Sequence, residues 1–593
     1  MLFYRQIQER RVTLFGLLKR YLKDYWVQML IVILFTIGQA FAQTSLPKYL
    51  NDIVDNGVAK GNVPYIWRIG GIMLAMTVVM GICMIFAGYF SAYVTAKFTT
   101  RIRADLFRKS QTFSDLDYQK FSKETLLTRA TSDTTQMQMV VINMLRNAML
   151  VPFVAVFTFV RCVLLDAPLS LILGSAFVLS MLIVRHYNRK SMPVFMDLQS
   201  KTDHVSTLIN EKLTGARTIR AFNRQQYEIE KLTKANEDVR DTAIYANSFI
   251  VYLTPVVQVI MNLVVVVVLC LGPVQMQSEV ISLSGLLVYI QYSIQLASGF
   301  ATIMAIVNAL PRCEVAAKRI VEVLDYSPKT VKPTQVRKVE APRGEIRFED
   351  VNFGYSGAYD MVLQDINLTI PAGKTTAIVG ATGSGKSTLL KLILQFFGTE
   401  FYGSIYIDGV DTKEMSPHDL RHLISYAPQK ANIYSGTVES NLRVAKPDAT
   451  KEDIKKACDM AMVSEFLEAK HAGAEFELAQ GGANLSGGQR QRMSLARAFI
   501  KDASVYLMDD TFSALDFKTD AAVRGSMYRE LKGKTIVVVA QRIPTILNAD
   551  QIVVLDQGHI IGIGSHKELL VNCPVYREIY ETQVSQSGEG AVS

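Results

Sequence analysis

The chain has 593 residues, which is too long for one compact core, so two or more domains are expected. Its 49% hydrophobic and 20% charged residues are an apolar balance for a soluble protein, and the excess lies before about residue 310. A net charge of +9 does not require a nucleic-acid partner, because much of the basic excess flanks apolar runs that would meet anionic membrane lipids. The six cysteines include no C-x-x-C pair, so free thiols are favoured over disulfides or a metal site.

The N-terminal segment, residues 2–23, mixes Leu, Phe and Tyr with Arg and Lys, which is typical of an interfacial amphipathic helix; an ordinary basic tail is the alternative. The first apolar run starts near Trp26 and is long enough to span a bilayer, so no cleavable signal peptide is expected. Six apolar segments of about spanning length are predicted: 26–47, 66–96, 139–165, 168–187, 248–271 and 280–310.

The connections between these segments differ in length and charge. Residues 48–64, 166–170 and 272–279 are short and poor in Lys and Arg, whereas 97–138 and 185–247 are long and basic. The positive-inside rule therefore predicts an integral protein of the cytoplasmic membrane with both termini inside. Apolar residues at helical spacing predict that the long connections extend the spanning helices and turn back near Phe113–Phe121 and Gly215–Arg224.

Several polar side chains fall at membrane depth. Such groups usually face a bundle interior or a wet cavity, so they are candidates for a substrate path, although hydrogen bonds between helices explain each of them equally well. They are Gln39, Gln43, Arg161, Gln258, Asn262, Gln291, Gln295 and Asn308.

The composition changes after residue 325. We predict a transmembrane domain at 1–325, a linker rich in Pro, Lys, Thr and Val at 326–343, a nucleotide-binding domain at 344–583 and a polar tail at 584–593. Strand-like runs alternate with loops and helices in the third of these regions, as an α/β domain requires.

The stretch Gly380–Thr388 fits the phosphate-loop pattern G-x-x-x-x-G-K-[ST]. It follows the apolar run Thr375–Val379 and opens into a helix-favouring run, which is the context in which backbone amides and a helix N-terminus bind phosphate. Lys386 would reach the β- and γ-phosphates of ATP, and the Ser387 hydroxyl would ligate Mg²⁺. The predicted nucleotide-binding residues of the loop are Gly380, Thr382, Gly383, Ser384, Gly385, Lys386, Ser387 and Thr388.

A second block narrows the class of ATPase. It contains Leu485-Ser-Gly-Gly-Gln489, then the apolar strand Val505–Asp509, whose last carboxylate suits Mg²⁺, then Ser513-Ala-Leu-Asp516. With these blocks the chain resembles the ATP-binding cassette (ABC) transporters over nearly its whole length. Six spans with two long cytoplasmic connections, fused ahead of the cassette, resemble an exporter half-transporter, that is, an α-helical membrane bundle joined to a C-terminal α/β P-loop domain.

The resemblance implies roles for individual residues. Tyr355 stands where an aromatic ring stacks on adenine, and Gln429 is at the position of the Q-loop glutamine, which ligates Mg²⁺ together with Ser387 and Asp509. In that family two cassettes close head to tail, so the signature loop touches nucleotide that a partner chain holds. The residues implied in this contact are Ser486, Gly488 and Gln489. The turns near Phe113–Phe121 and Gly215–Arg224 resemble coupling helices that dock on cassettes.

Two catalytic positions depart from the family pattern. Asp510 stands where hydrolysing members have Glu, and its carboxylate is retracted by one methylene, about 1.5 Å. Gln541 stands where a His contacts the γ-phosphate, and an amide carries neither a proton nor a positive charge. Gln480, before the signature loop, also replaces a usual Glu.

The intact signature loop and altered catalytic positions resemble the degenerate-site subunit of bacterial heterodimeric multidrug exporters. The resemblance implies ATP-driven export of amphipathic small molecules or lipids with a second half-transporter. A slow homodimer, with Asp510 as a weak base, is one alternative. An ATP-gated regulatory protein or channel is another, whereas an importer fits poorly because importers usually carry spans and cassette on separate chains.

Overall fold

The computed structural model describes residues 14–277, 282–328, 336–355 and 360–588. The chain divides into two compact units, one of Met1–Ser110 and Glu124–Tyr326, the other of Gln111–Lys123 and Ser327–Ser593. Within the described residues, six helical stretches are long and apolar enough to cross a membrane, as the sequence predicts. They are Leu14–Val58, Val63–Ser110, Lys123–Leu165, Ala167–Thr214, Gln225–Pro273 and Leu283–Leu324.

The helices before residue 325 extend beyond the apolar segments that predict them, because polar side chains are compatible with a helix once it leaves the bilayer. In chain order they are α1 (Trp26–Asp52), α2 (Val63–Ser110), α3 (Asp115–Lys120), α4 (Lys123–Thr128), α5 (Thr134–Asn143), α6 (Leu150–Leu165), α7 (Ala167–Thr214), α8 (Ala216–Ala221), α9 (Gln225–Gln277) and α10 (Leu283–Leu324). Short π-helical turns follow α1, α4 and α5, at Ile53–Val58, Arg129–Asp133 and Met144–Ala148.

The short connections are closed by side-chain caps. Asp166 accepts a hydrogen bond from the Leu169 amide at the start of α7, and Ser282 accepts one from Gly285 at the start of α10. The first connection is shorter than the predicted 48–64, since helical structure continues through Val58. Residues 14–22 are helical, whereas residues 2–13 of the predicted interfacial helix and 278–279 of the third short connection lie outside the described residues.

The two predicted cytoplasmic turns contain short helices. Helix α3 lies within 113–121, and α8 lies within 215–224. Ser114 caps α3 in a reciprocal capping box with Asp117, which fixes where this short helix begins. Residues 111–123, with α3, form part of the second compact unit.

The second unit is built on two main sheets. Its strands are β1 (Ile346–Phe353), β2 (Leu363–Ile370), β3 (Thr375–Val379), β4 (Tyr402–Ile407), β5 (Val410–Asp411), β6 (Ile424–Ala427), β7 (Gly436–Thr437), β8 (Glu477–Leu478), β9 (Val505–Asp509), β10 (Thr535–Val539), β11 (Gln551–Asp556) and β12 (His559–Gly564). An antiparallel sheet has the order β2-β1-β4-β5, and a larger one the order β12-β11-β3-β10-β9-β6. In the larger sheet every pair is parallel except β11 with β12.

Helices of the second unit pack on both faces of the larger sheet. They are α11 (Lys386–Ile393), α12 (Pro417–Leu423), α13 (Val438–Arg443), α14 (Lys451–Met460), α15 (Val463–Ala469), α16 (Gly487–Phe499), α17 (Phe517–Glu530), α18 (His566–Asn572) and α19 (Pro574–Gly588). Strands β3, β9 and β10 are buried at every residue, as continuous apolar runs predict for strands covered on both sides. Neighbouring residues alternate between two cores: Val537 belongs to one and Val538 to the other.

The last helix does not end at the predicted boundary between the nucleotide-binding domain and the tail. Helix α19 continues past Gln583, the predicted end of the nucleotide-binding domain, into the predicted tail 584–593, and residues 589–593 lie outside the described part. The described residues of the predicted linker, 326–328 and 336–343, contain no helix or strand, and 329–335 lie outside.

Candidate nucleotide site

The candidate site lies along one edge of the larger sheet. Strands β3, β10, β9 and β6 are adjacent and parallel, so their carboxyl ends meet at the same edge. The phosphate loop follows β3, Gln541 follows β10, Asp509 ends β9 and Gln429 follows β6. Ligands of open α/β sheets bind at this edge. The fold thus brings together four segments that are up to 160 residues apart, roughly, in the sequence.

The phosphate loop depends on glycine at two positions. A Cβ at Gly380 would overlap the carbonyl oxygen of Leu555, so a larger residue cannot occupy this place. Gly385 has φ of +102°, a left-handed conformation that glycine adopts without strain, and α11 begins at the next residue. The loop therefore presents its amides and the N-terminus of α11 toward one point, the arrangement that binds phosphate.

Lys386 is buried and lies over its own loop. Its Nζ donates hydrogen bonds to the carbonyl oxygens of Gly380 (2.9 Å) and Ala381 (2.7 Å). Burial lowers the pKa of Lys386, and the nearby carboxylates of Asp510 and Asp509 oppose that change. The ammonium group is thus positioned within the loop, and phosphate oxygens can replace the carbonyl acceptors when a nucleotide binds.

The predicted metal ligands supply oxygen donors. The Ser387 hydroxyl donates to Asp509 Oδ1 at 2.7 Å, so these two side chains are in direct contact. Gln429 contacts Asp510, the residue after Asp509: its Nε2 donates to Asp510 Oδ2 at 3.2 Å. The amide oxygen of Gln429 takes no part in that hydrogen bond. Hydroxyl, carboxylate and amide oxygens are the donors that Mg²⁺ prefers, so this set of residues fits that ion.

Asp510 is held by two amides. Its Oδ2 accepts hydrogen bonds from Gln429 Nε2 (3.2 Å) and Gln541 Nε2 (3.0 Å), which brings the two altered catalytic positions together with the Q-loop glutamine. Burial is the main cause that raises the pKa of Asp510, and Asp509 adds to the effect, while hydrogen bonds from Gln429 and Ser513 and the charge of Lys386 act against it. The backbone of Asp510 is left-handed, with φ of +48°.

Tyr355 lies next to the helix that follows the phosphate loop. Its hydroxyl is 3.1 Å from Thr388 Oγ1, and its ring packs edge-on against Phe353 and Phe397. The ring therefore lies beside the predicted phosphate-binding residues, and its role in adenine stacking stays a prediction.

The signature loop forms the start of α16. Ser486 Oγ accepts from the Gln489 amide at 3.2 Å, and Gln489 Oε1 accepts from the Ser486 amide at 2.9 Å, a reciprocal capping box. Ser486 and Gly487 are exposed, and Gly488 is half-buried against the backbone at Ala514. Within the described residues, neither Ser486 nor Gln489 hydrogen-bonds to the phosphate loop of this chain. The exposed capped N-terminus is available to a ligand outside the chain.

One contact in the site was missed by sequence reasoning. The Tyr426 hydroxyl donates to Asp509 Oδ2 at 3.1 Å, and burial, followed by Asp509, raises the pKa of this phenol. The available signal is a tyrosine inside the buried strand β6, three residues before Gln429. Since β6 pairs in register with β9, with Tyr426 opposite Leu507, the tyrosine lies near the end of β9.

The polar side chains at membrane depth have different environments. Arg161 donates to Ser45 Oγ at 2.6 Å and lies over the Phe41 ring, and Thr158 donates to Gln295 at 3.4 Å. Two of the predicted polar residues, Arg161 and Gln295, therefore join helices to one another. Gln258 and Asn262 instead line a cavity of about 200 Å³ between α9 and α10. Neither amide makes a hydrogen bond within the described residues. Met261, Phe300 and Met304 provide apolar walls of the same cavity.

Comparisons with known proteins agree with this architecture. The ABC transporter transmembrane region family matches residues 29–300, and the ABC transporter family matches 363–513. An uncharacterized ABC transporter ATP-binding protein of Mycobacterium tuberculosis (strain CDC 1551 / Oshkosh) is 34% identical over 98% of this chain and 100% of its own length. The ATP-dependent lipid A-core flippase of Haemophilus influenzae (strain 86-028NP) is 28% identical over 93% of each chain.

The fold also matches a solved structure, that of a bacterial Atm1-family ABC exporter with ATP bound. The TM-score is 0.79 at 20% identity, over 95% of this chain and 99% of the other. Six apolar helices in an exporter fold indicate an integral membrane protein, and the cassette indicates nucleotide binding. The chain therefore belongs to the ABC transporter family and is an ATP-driven transporter with an exporter fold.

Proposed function

We propose that this chain is one half of a heterodimeric exporter of amphipathic small molecules in the cytoplasmic membrane. Its own phosphate loop builds a slow ATP site, and its signature loop completes the fast site on a second half-transporter. Both termini and the cassette lie in the cytoplasm.

The observation that carries this proposal is the environment of Asp510. A general base must come within about 2.6–3.2 Å of the proton that it takes, and Asp is about 1.5 Å shorter than Glu at this position. In addition, Asp510 Oδ2 already accepts two amide hydrogen bonds, from Gln429 and Gln541. An attacking water would compete with both donors for that oxygen. The site thus favours holding ATP over hydrolysing it.

The remaining residues are suited to retention of nucleotide. Lys386 and the loop amides hold the phosphates, with Thr388 beside them, and Tyr355 provides a ring for adenine. Ser387, Asp509 and Gln429 hold Mg²⁺, which neutralises phosphate charge when bound. The exposed Ser486 and the half-buried Gly488 and Gln489 contact the nucleotide of the partner chain. Signalling between the domains is assigned to Gln429 on the family resemblance, and its amide touches Asp510 at the nucleotide site.

An amphipathic substrate is supported by the cavity between α9 and α10. Its lining combines methionine and phenylalanine side chains with two amides, Gln258 and Asn262, whose hydrogen-bonding groups are unpaired within the described residues. Flexible methionines accommodate varied apolar shapes, and the amides supply directional contacts. A lipid-like cargo is supported by the relative that is named an ATP-dependent lipid A-core flippase.

The first experiment measures ATP binding and hydrolysis by the full chain alone in lipid nanodiscs. We expect binding with slow turnover, and an increase of about tenfold or more in the double variant Asp510→Glu/Gln541→His, since a positioned general base contributes about 10²–10⁴. A wild-type homodimer that hydrolyses as fast as this double variant would overturn the proposal. In that case loss of activity in Asp510→Asn would identify Asp510 as the base.

The second experiment pairs the chain with a half-transporter that has the catalytic Glu and His. Co-purification should restore fast hydrolysis, and Ser486→Arg in this chain should abolish it by blocking the partner's site. Asp510→Asn should leave that fast hydrolysis nearly unchanged. If Asp510→Asn abolishes the activity of the pair, the assignment of the fast site to the partner is wrong.

A further inference from the structure

The carboxylate of Asp509 is held on both of its oxygens. Ser387 donates to Oδ1 at 2.7 Å, and Tyr426 donates to Oδ2 at 3.1 Å. A carboxylate on the end of a strand can rotate about its side-chain torsions, and two hydroxyl donors fix its plane. Because Tyr426 holds Oδ2, Oδ1 is the oxygen of Asp509 that would face a metal ion beside Ser387.

The ring of Tyr426 connects this carboxylate to another segment of the same compact unit. Tyr426 packs edge-to-face on Phe396, with ring centroids 5.7 Å apart. The carbonyl oxygen of Phe396 accepts a hydrogen bond of 2.7 Å from the amide of Asp115. Asp115 is the first residue of α3, so its amide is one of those that have no partner inside the helix.

Asp115, its neighbour Leu116 and Phe396 each make a further contact with the cassette. The Asp115 carboxylate lies 3.6 Å from Lys391 Nζ, on the helix that carries Lys386 and Ser387. Leu116 packs against the apolar core that contains Phe353 and Phe397, and Arg421 lies over the Phe396 ring. A continuous series of contacts thus runs from Asp509 through Tyr426 and Phe396 to α3.

From these contacts we propose that Tyr426 is a positioning residue for the metal-binding carboxylate and transmits metal occupancy to the segment 111–123. The inference rests on the proposed role of Asp509 as a ligand of Mg²⁺. Mg²⁺ held by Asp509 and Ser387 would replace the hydrogen bond between these two side chains. The Tyr426 hydroxyl would then follow Asp509 Oδ2, the Tyr426 ring would shift against Phe396, and the hydrogen bond from the Asp115 amide to the Phe396 carbonyl oxygen would change.

This connection is separate from the contact through Gln429. Gln429 bonds to Asp510, whereas Tyr426 bonds to Asp509, so the two routes begin on different carboxylates. Substitution of Tyr426 by Phe removes only the hydroxyl and keeps the ring on Phe396. Substitution of Phe396 by Leu removes the ring contact and keeps the backbone carbonyl. The two halves of the proposal are therefore testable one at a time.

The positioning role is tested with the full-length chain in nanodiscs by titrating Mg²⁺ at fixed fluorescent ATP analogue. We expect Tyr426→Phe to raise the Mg²⁺ concentration for half-saturation about tenfold, because groups that orient metal ligands typically affect affinity by that much. Nucleotide binding in EDTA should be unchanged. Tyr406→Phe is the matched control, since Tyr406 is also a half-buried strand tyrosine and its hydroxyl makes no hydrogen bond within the described residues.

The transmission role is tested by hydrogen–deuterium exchange of peptides covering 111–123, with ATP alone and with ATP and Mg²⁺. The wild type should change its exchange on adding Mg²⁺, and both Tyr426→Phe and Phe396→Leu should lose at least half of that change. Phe396→Leu should keep the wild-type Mg²⁺ half-saturation. Equal exchange responses in all three proteins would overturn the transmission role.

The outcomes separate this inference from the proposed function. If Asp509→Asn weakens the Mg²⁺ dependence and Tyr426→Phe does not, Tyr426 has no positioning role and the assignment of Asp509 stands. If neither variant changes the Mg²⁺ dependence, the assignment of Asp509 as a ligand is itself wrong. A Tyr426→Phe protein that only melts earlier, with wild-type Mg²⁺ dependence and exchange, would show that the hydroxyl merely stabilises the fold.

Discussion

At the scale of single residues, Asp510 combines a buried carboxylate with neutral hydrogen-bond donors. Two amides contact one of its oxygens, and Lys386 is the nearby cation that acts on its pKa. Burial raises that pKa, which means that the folded protein favours the protonated carboxyl more than the unfolded chain does. The ionised form therefore costs folding free energy above the folded-state pKa, and this cost disappears when both states are protonated.

Asp510→Asn should consequently stabilise the nucleotide-free chain at pH 7.5, by about 1–4 °C in the Tm of the cassette. Asn keeps an oxygen acceptor for the two amides and removes the buried charge. The gain should shrink as pH falls toward the ordinary carboxyl value of 3.8, because the wild-type carboxyl is then protonated in both states. Differential scanning fluorimetry of the full chain across pH measures this. Asp502→Asn, at an exposed site, is the control, and a gain that is independent of pH would contradict the electrostatic explanation.

The residues of the phosphate and signature loops are predictable because each motif is local: its glycines, lysine and hydroxyls act within nine consecutive positions or fewer, roughly one loop. The hydrogen bond of Tyr426 to Asp509 and those of the two amides to Asp510 are not predictable in this way. In each case the partners follow or lie on different strands, so the contact depends on strand order and side-chain orientation. No spacing along the chain carries that information.

At the scale of elements, apolar runs locate the spanning helices and the buried strands but not their ends. The helix α1 continues past Pro47 to Asp52, although the apolar run stops earlier, because backbone hydrogen bonds persist outside the bilayer. Likewise α9 extends from Gln225 to Gln277 across a polar region and an apolar one. Hydropathy indicates whether a segment lies in lipid or in water. The ends of a helix are set instead by caps and turns, which hydropathy does not report.

The facing surfaces of α9 and α10 lead to a prediction about ligand choice. The cavity between them is lined by Gln258, Asn262, two serines (Ser293 and Ser298) and apolar side chains, with no Asp, Glu, Lys or Arg among its lining within the described residues. An uncharged amphiphile with an amide or hydroxyl group should therefore bind there. We expect Gln258→Leu to weaken binding by roughly threefold to tenfold, the usual effect of one neutral hydrogen bond.

A diazirine-bearing fatty amide measures this prediction by photo-crosslinking to the full chain in nanodiscs, with peptides mapped by mass spectrometry. Labelling should concentrate on peptides containing Met261 or Met304 and should fall in Gln258→Leu. Gln291→Leu is the matched control, because Gln291 is on α10 and is exposed outside the cavity. Labelling spread evenly over all spans, or equal in the two variants, would contradict a built site.

At the scale of the whole molecule, the membrane unit and the cassette are parts of one chain. The side of the membrane on which the cassette lies therefore decides whether the chain can work as an exporter. An exporter requires its cassette in the ATP-containing compartment, and the basic connections 97–138 and 185–247 must then lie on the same side. The cysteines offer a direct way to measure this. Cys270 is exposed, whereas Cys83, Cys162, Cys313, Cys458 and Cys573 are buried.

In a Cys270→Ser background, single cysteines placed on opposite sides should react differently with a membrane-impermeant maleimide added to intact cells. Lys60→Cys, in the turn between α1 and α2, should be labelled from outside, whereas Asn223→Cys and Lys374→Cys should be labelled only after the membrane is opened. All three positions are exposed, so a difference reports sidedness and not burial. Labelling of Asn223→Cys but not Lys60→Cys in intact cells would reverse the orientation. ATP in the cytoplasm could not then reach the site formed by Lys386 and Asp509, and the proposed export would be impossible.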